Sequence, residues 1–229
     1  FWGILIADLI MNDRYKESFE TWNKLANLYQ DKFMDLTLFD DTYDFICNSL
    51  NKPNSAILEI GCGPGNISRY LLSKRPDFKI LGIDVAPNMI ELAERNNPNA
   101  KFSVMDCRDI GTLHATFDGI ICGFCLPYLS HGDGHKLIDD AMKMLNEHGI
   151  IYLSFVEGDP VNSGFQVAST GDRSYFHYYT LNQIQSQFLE NSDFDLKIFR
   201  LEFKRADDKS EMHTIIIAKK IKASKTPSS

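Results

Sequence analysis

The residues best placed to do chemistry sit at the ends of two apolar runs. Ala56-Ile57-Leu58 leads into Glu59-Ile60-Gly61-Cys62-Gly63-Pro64-Gly65-Asn66-Ile67, and Lys79-Ile80-Leu81-Gly82-Ile83 ends in Asp84. Each run reads as a buried strand, and the first feeds a glycine-rich turn and a helix. The glycines let the chain take φ > 0 and bring backbone N–H groups against a ligand; a side chain at Gly63 would fill that space. An acid at the carboxyl end of the second strand can accept hydrogen bonds from two ribose hydroxyls, so the ligand should carry a ribose. The dinucleotide fingerprint G-x-G-x-x-G would need glycine at position 66, where the chain has Asn66, and Pro64 removes one N–H that a pyrophosphate would use. Glu59 would repel a pyrophosphate and attract a cation. The turn therefore favours a ribose-bearing cation.

With its form E-x-G-x-G-x-G, Glu59 through Gly65 resembles the first motif of the Rossmann-like, class I S-adenosylmethionine-dependent methyltransferases. The resemblance continues through Asp84, the segment Met105-Asp106-Cys107 and the fourth strand-like run Phe117–Gly123, and covers roughly residues 17–220. It implies S-adenosylmethionine as cofactor, with Asp84 on the ribose, Asp106 accepting from the adenine N6, and the turn (Glu59, Gly61, Cys62, Gly63, Gly65, Asn66) against the methionyl part. Val85, Met89, Met105 and Cys107 join this implied cofactor set, as do Gly123, Phe124 and Tyr29. Singly, each piece has a plainer reading: a tight turn, an acid opening the helix at Pro87, a loop aspartate. Their order, each after an apolar run, is what ties them together.

The chemistry implied by the resemblance is methyl transfer to an O, N or C nucleophile of a small-molecule acceptor. Because the leaving group is a neutral thioether, the protein mainly has to align the reacting atoms and exclude water, and a general base is optional. Candidates for that base are Tyr128, His131 and His177. Tyr128 and His131 follow the fourth strand in a loop that resembles the family's acceptor-facing segment; His177 lies in the aromatic run Tyr175–Tyr179. Packing under an N-terminal cap, or a helix start at His131, accounts for the same residues without catalysis. Trp22, Tyr29, Phe124, Tyr128, Phe165, Tyr175 and Phe176 would suit a partly apolar acceptor, and aromatic faces favour a sulfonium. Two other readings are an NAD-dependent oxidoreductase, disfavoured by Asn66 and Pro64, and a non-catalytic nucleotide-binding domain.

The 229 residues are 44% hydrophobic and 24% charged, ordinary for a globular chain. A net charge of −7 with no basic face counts against a nucleic-acid partner. Five cysteines, odd in number and scattered, fit thiols of a reducing cytoplasm. Cys122 and Cys125 with His131 and His135 are too closely spaced for a zinc finger, and no metal is expected. Residues 1–10 are apolar but far shorter than the ~20 residues of a membrane span, so neither anchoring nor export is expected of them.

Periodicity supplies the elements that position these residues. Phe19, Trp22, Leu25, Ala26, Tyr29 and Phe33 recur at helical spacing, and Phe45, Ile46 and Leu50 suggest a second helix, making residues 1–50 an N-terminal segment and helical cap. Strands and helices alternate through residues 51–220, the cofactor-binding domain, and 221–229 read as a solvated tail. Leu137 to Leu145 form a helix closed by Gly149 before the strand Ile150–Phe155; Thr180 and Gln183 look like a capping box; two strand-like runs, Phe194–Phe203 and Met212–Ala218, suggest a closing hairpin. The expected architecture is α/β and doubly wound, with helices on both faces of a mostly parallel sheet and an antiparallel last strand at the sheet end. The family it resembles has such a sheet with seven strands.

Overall fold

In a computed structural model that describes residues 14–168, 170–190, 193–205 and 208–221, the apolar runs form one sheet. Residues 1–13 and 222–229, which hold the apolar opening segment and nearly all of the expected tail, lie outside the described residues. Strands β1 (Ala56–Ile60), β2 (Lys79–Asp84), β3 (Lys101–Val104), β4 (Phe117–Gly123) and β5 (Leu145–Val156) are parallel, and β8 (Phe194–Lys204) and β9 (Ser210–Lys220) form an antiparallel hairpin. The order across the sheet is β3-β2-β1-β4-β5-β9-β8. From β1 the chain winds outward to β2 and β3, then returns to β4 on the other side. Their carboxyl ends therefore part at a switch point, where such sheets leave a crevice.

Both faces of the sheet are covered, which is why its strands are apolar almost throughout. On one face Ile57, Ile121, Tyr152 and Ile217 pack with α3 (Asp40–Ser49) and α4 (Asn66–Lys74). On the other, Leu58, Ile60, Cys122 and Leu153 pack with α6 (His131–Met144) and α7 (Leu181–Leu189). The helix starts follow the sequence chemistry. Pro87 opens α5 (Pro87–Asn96), Ser130 caps α6 by accepting from Asp133 N, and Thr180 and Gln183 form the capping box of α7. A helix over residues 14–24 (α1) and α2 (Ala26–Phe33) make the cap. No described helix is long and apolar enough to cross a membrane.

Three features differ from the sequence reading or extend it. The last strand, β9, is antiparallel as expected but lies inside the sheet, with β8 at the edge. Its fully buried run Ile215–Ala218 needs neighbours on both sides, whereas the alternating burial of β8 suits an edge. Second, α6 ends at Met144 and β5 begins at once with Leu145, so Gly149 does not close a helix. Between Phe117↔Leu145 and Gly119↔Ile150 the register shifts, and a Cβ at Gly149 would stand 2.8 Å from Asp118 O and 2.9 Å from Leu145 Cδ1. Gly149 is there for strand–strand approach. Third, residues 164–176 contain a separate two-stranded ribbon, β6 (Gly164–Val167) and β7 (Arg173–Phe176).

Gly149→Ala should accordingly destabilise the fold by about 1–3 kcal/mol through overpacking. Urea unfolding reads this directly; an unchanged midpoint would show that β4 and β5 have room at this point.

Candidate functional site

The crevice at the switch point is a cavity of about 430 Å³ bordered by the carboxyl ends of the parallel strands and by the cap. Gly61, Gly63 and Gly65 all have positive φ (64°, 52° and 78°), so the turn between β1 and α4 is built from the conformations glycine alone adopts freely. Asp84 locks it in place. Its Oδ2 accepts from Gly63 N at 2.9 Å and its Oδ1 from Ala86 N at 2.9 Å, tying the glycine turn and the start of α5 to the end of β2. A carboxylate has about four acceptor positions, so Asp84 can still accept from a ligand in the cavity it borders. Burial raises its carboxyl above the usual range against the pull of these backbone bonds.

Glu59 stands elsewhere. In β1 successive side chains point to opposite faces, and Glu59 turns to the α4 side, where Ser68 Oγ donates to it; it is 1% exposed and does not border the cavity. Burial pushes its carboxyl up to about 7, with Asp84 nearby adding to the rise. Gly65, Cys62 and Asn66 are likewise behind the cavity. Gly65 is needed because a Cβ would fall 2.4 Å from Asn97 Nδ2, which donates to Gly65 O; Cys62 is packed against Ile90, Ala93 and Phe102; Asn66 begins α4. These four belong to the construction of the turn and do not border the cavity, although the resemblance implies cofactor contacts for them. Gly61, Gly63, Asp84, Val85, Met89, Met105, Asp106, Cys107, Gly123, Phe124 and Tyr29 all border the cavity.

Residues 57–149 match the family described as methyltransferase domain. The putative methyltransferase 235L of Invertebrate iridescent virus 6 is 36% identical over 76 residues, 33% of this chain and 28% of that protein. The carboxy-S-adenosyl-L-methionine synthase of Campylobacter jejuni subsp. jejuni serotype O:6 is 25% identical over 158 residues, 65% of this chain and 66% of that one. The chain thus spans less than two thirds of the length of either relative. DhpI, solved as a complex with SAH, shares the fold with a TM-score of 0.68 at 14% identity, over 91% of this chain and 97% of that one. Residues 57–149 are thus similar to a methyltransferase domain, and the chain shares its fold with DhpI.

At this cavity the three residues considered as bases separate. Tyr128 borders the cavity, edge-on to Trp22 (5.4 Å) and Phe176 (5.9 Å). His131 and His177 do not border it. His131 Nε2 lies 2.9 Å from Tyr178 O and donates to it, with its ring against Tyr179; His177 donates its N–H to Pro127 O, and burial, with His131 and Arg14 close by, pushes its ring down to about 4. His131 thus joins α6, and the His177 backbone the segment just before α6, to the chain after β7, a structural use of the aromatic run. The sequence reading missed Tyr15, Ser18, Arg108 and Cys125, all on the cavity. Arg108 grips both oxygens of Asp106 and covers the Tyr15 ring at 4.2 Å; Tyr15 donates to Asp133 and accepts from Ser130 N. Burial raises the Asp106 carboxyl, and Arg108 more than offsets it, holding it below its ordinary value. For Tyr15 and Ser18 the three-residue spacing that sets them on one helix face was an available signal; Arg108 and Cys125 carried none. Among the described residues no three His, Cys, Asp or Glu are placed to hold a metal.

Glu59 sets a pH dependence. Its folded-state pKa, about 7, is raised above the ordinary 4.5, so the folded form binds the extra proton between these values and stability falls as pH rises through that window. Between pH 5 and pH 8 the unfolding free energy should drop by on the order of 3 kcal/mol, and Glu59→Gln should remove most of the drop. Equal pH slopes in both proteins would place the titration elsewhere.

Proposed function

We propose that the chain is a methyltransferase that takes S-adenosylmethionine as cofactor and methylates an O, N or C nucleophile on a small molecule with a partly apolar body. The observation that carries the proposal is the cavity at the switch point, with Asp84 and the Gly61–Gly63 turn on one side and an aromatic cap on the other. The residues present fit the cofactor. The Cβ missing from Gly63 would point at Tyr29 Cε1, 3.7 Å away, so the turn leaves a cradle that any side chain would fill. Asp84 would receive the ribose hydroxyls, and Asp106, held by Arg108, would face the adenine. Bound there, S-adenosylmethionine supplies a methyl group already activated on a sulfonium.

The chain's own part is alignment and exclusion of water. Phe19, Trp22 and Tyr29 of the cap pack on Ala86, Met89 and Leu92, closing the mouth. The cap is pinned from the far side as well: Thr21 Oγ1 donates to Arg173 O at 2.6 Å, Tyr175 N donates to Ser18 Oγ at 3.0 Å, and Lys24 pairs with Asp172 at 2.8 Å. Tyr128 is held protonated by burial, which raises its phenol far above the ordinary value, so it can donate but does not serve as a base at neutral pH. The five cysteines, all free, support a reducing compartment such as the cytoplasm, and the net charge of −7 supports a partner other than nucleic acid.

S-adenosylhomocysteine should raise the melting temperature, and NAD should not. Asp84→Ala should weaken that binding by about 1.5–3 kcal/mol, the worth of a lost charged hydrogen bond, and calorimetric titration of both proteins measures it. A shift with NAD and none with S-adenosylhomocysteine at millimolar concentration overturns the cofactor. Labelled methyl donor offered to a metabolite extract then finds the acceptor. With it, His131→Ala and His177→Ala should each lower turnover by less than about 10²-fold, the low end of general-base assistance; a loss beyond 10⁴-fold with cofactor binding intact would reveal a dedicated base.

A further inference from the structure

Cys107 and Cys125 border the same cavity from two loops, one after β3 and one after β4, and their Sγ atoms are 3.6 Å apart. Nothing in methyl transfer requires either thiol. A disulfide needs about 2.05 Å between the sulfurs, so the two half-buried side chains have to turn toward each other by the difference. The contact is not isolated from the turn. A Cβ at Gly61 would stand 3.0 Å from Cys125 Cβ and 3.3 Å from its Sγ, so Cys125 lies directly on the glycine turn; Cys107 directly follows Asp106. A bond between the two sulfurs would link the turn side of the cavity to the Asp106 side.

We propose that Cys107 and Cys125 are a redox-modification site, forming a reversible intramolecular disulfide that closes the cavity to the cofactor. The oxidant is a hydroperoxide. One thiolate attacks the peroxide oxygen, the O–O bond breaks, and a sulfenic acid forms with release of water or an alcohol. The second thiol attacks the sulfenic sulfur, forming the S–S bond and expelling the hydroxyl as water with the remaining proton. The two sulfurs together lose two electrons, which the peroxide takes up, and a dithiol reductant reverses the step. The Cys107 thiol is pushed up by its contact with Cys125 and by burial. At Cys125 the contact with Cys107 pulls the other way, but Cys122 and burial leave it raised. Since the thiolate is the attacking form, oxidation quickens as pH rises. Coupling is reciprocal: if the disulfide weakens cofactor binding by some factor, bound cofactor opposes disulfide formation by the same factor.

The closure half of the proposal rests on the cavity being the cofactor site, and the test separates the two. The reduced full chain is treated with hydrogen peroxide at pH 8 and followed by intact mass, thiol titration and the thermal shift produced by S-adenosylhomocysteine. Expected are a loss of about 2 Da and of two titratable thiols, disappearance of the shift, recovery of both with dithiothreitol, and slower oxidation when S-adenosylhomocysteine is present first. Cys107→Ser should show no loss of 2 Da, and whatever shift it has before peroxide should survive it; Cys122→Ser should still close. Absence of the mass loss overturns the site, as does its persistence in Cys107→Ser. A disulfide that leaves the shift intact overturns closure. If the reduced chain gives no shift at all, the cofactor reading and closure fail together, while mass and thiol count still decide whether the pair forms.

Discussion

The hydrogen bond from Gly63 N to Asp84 Oδ2 is the contact on which the rest of the site depends. The parallel register pairs Ile60 with Ile83, and Cys62 N continues that pairing to Ile83 O, so β1 and β2 end side by side. Beyond them the backbone needs a donor and an acceptor that no strand supplies. Asp84 answers with both oxygens, one on the turn and one on the start of α5. From that point each later feature is positioned. α4 leaves the turn at Gly65, whose carbonyl is fixed by Asn97 at the end of α5, and α5 offers Ala86, Met89 and Leu92 as the platform for the cap. Removing the carboxylate would leave two buried N–H groups unpaired, each worth about 1–3 kcal/mol.

The cap is fastened mainly by contacts distant in sequence. Tyr15 reaches Ser130 and Asp133 at the start of α6, Ser18 and Thr21 reach β7, and Asn23 accepts from Asn88 N at the start of α5. Most are single hydrogen bonds near solvent, worth about 1 kcal/mol apiece, and the apolar contacts of Phe19, Trp22 and Tyr29 with α5 add area burial. A lid held by several weak ties on three elements closes firmly in sum, yet no single tie is expensive to break. That balance suits an element that must admit a cofactor and an acceptor.

The division between what the chain discloses and what it hides follows the same line. The glycine turn, Asp84 and Asp106 were legible because each directly follows an apolar strand-like run, so its place at a strand's carboxyl end can be read from the segment around it alone. Tyr15, Ser18, Arg108 and Cys125 were not, because each reaches the cavity through packing between segments far apart. Glu59 misled because one residue along a strand reverses the face, and from sequence its charge could be placed near the ligand but not behind the turn. His131 and His177 misled because an aromatic-rich run past a strand end looks the same whether it lines a pocket or holds α6 to the chain after β7. Gly149 follows a helical pattern and so reads from sequence as its end, though strand packing is what requires it.

The electrostatic preference first attributed to Glu59 survives on other residues. The cavity's floor holds Asp84, and the charge of Asp106 is already paired with Arg108, so the uncompensated charge that a ligand meets is that of Asp84. Tyr29 is pushed up to about 12, chiefly by burial, and stays protonated, so the wall presents its phenol donor and the negative faces of Trp22, Tyr29, Phe124 and Tyr128. Lys16, on the rim, is largely exposed and lies 4.0 Å from Glu20. A ligand combining hydroxyls with a soft positive charge meets an acceptor where its hydroxyls fall and aromatic faces where its charge falls. A pyrophosphate entering the same cavity would meet Asp84 and a turn shortened by one donor at Pro64. The discrimination therefore rests on one aspartate and a wall of aromatic rings, with Glu59, turned to the α4 side, bearing on them from behind the turn.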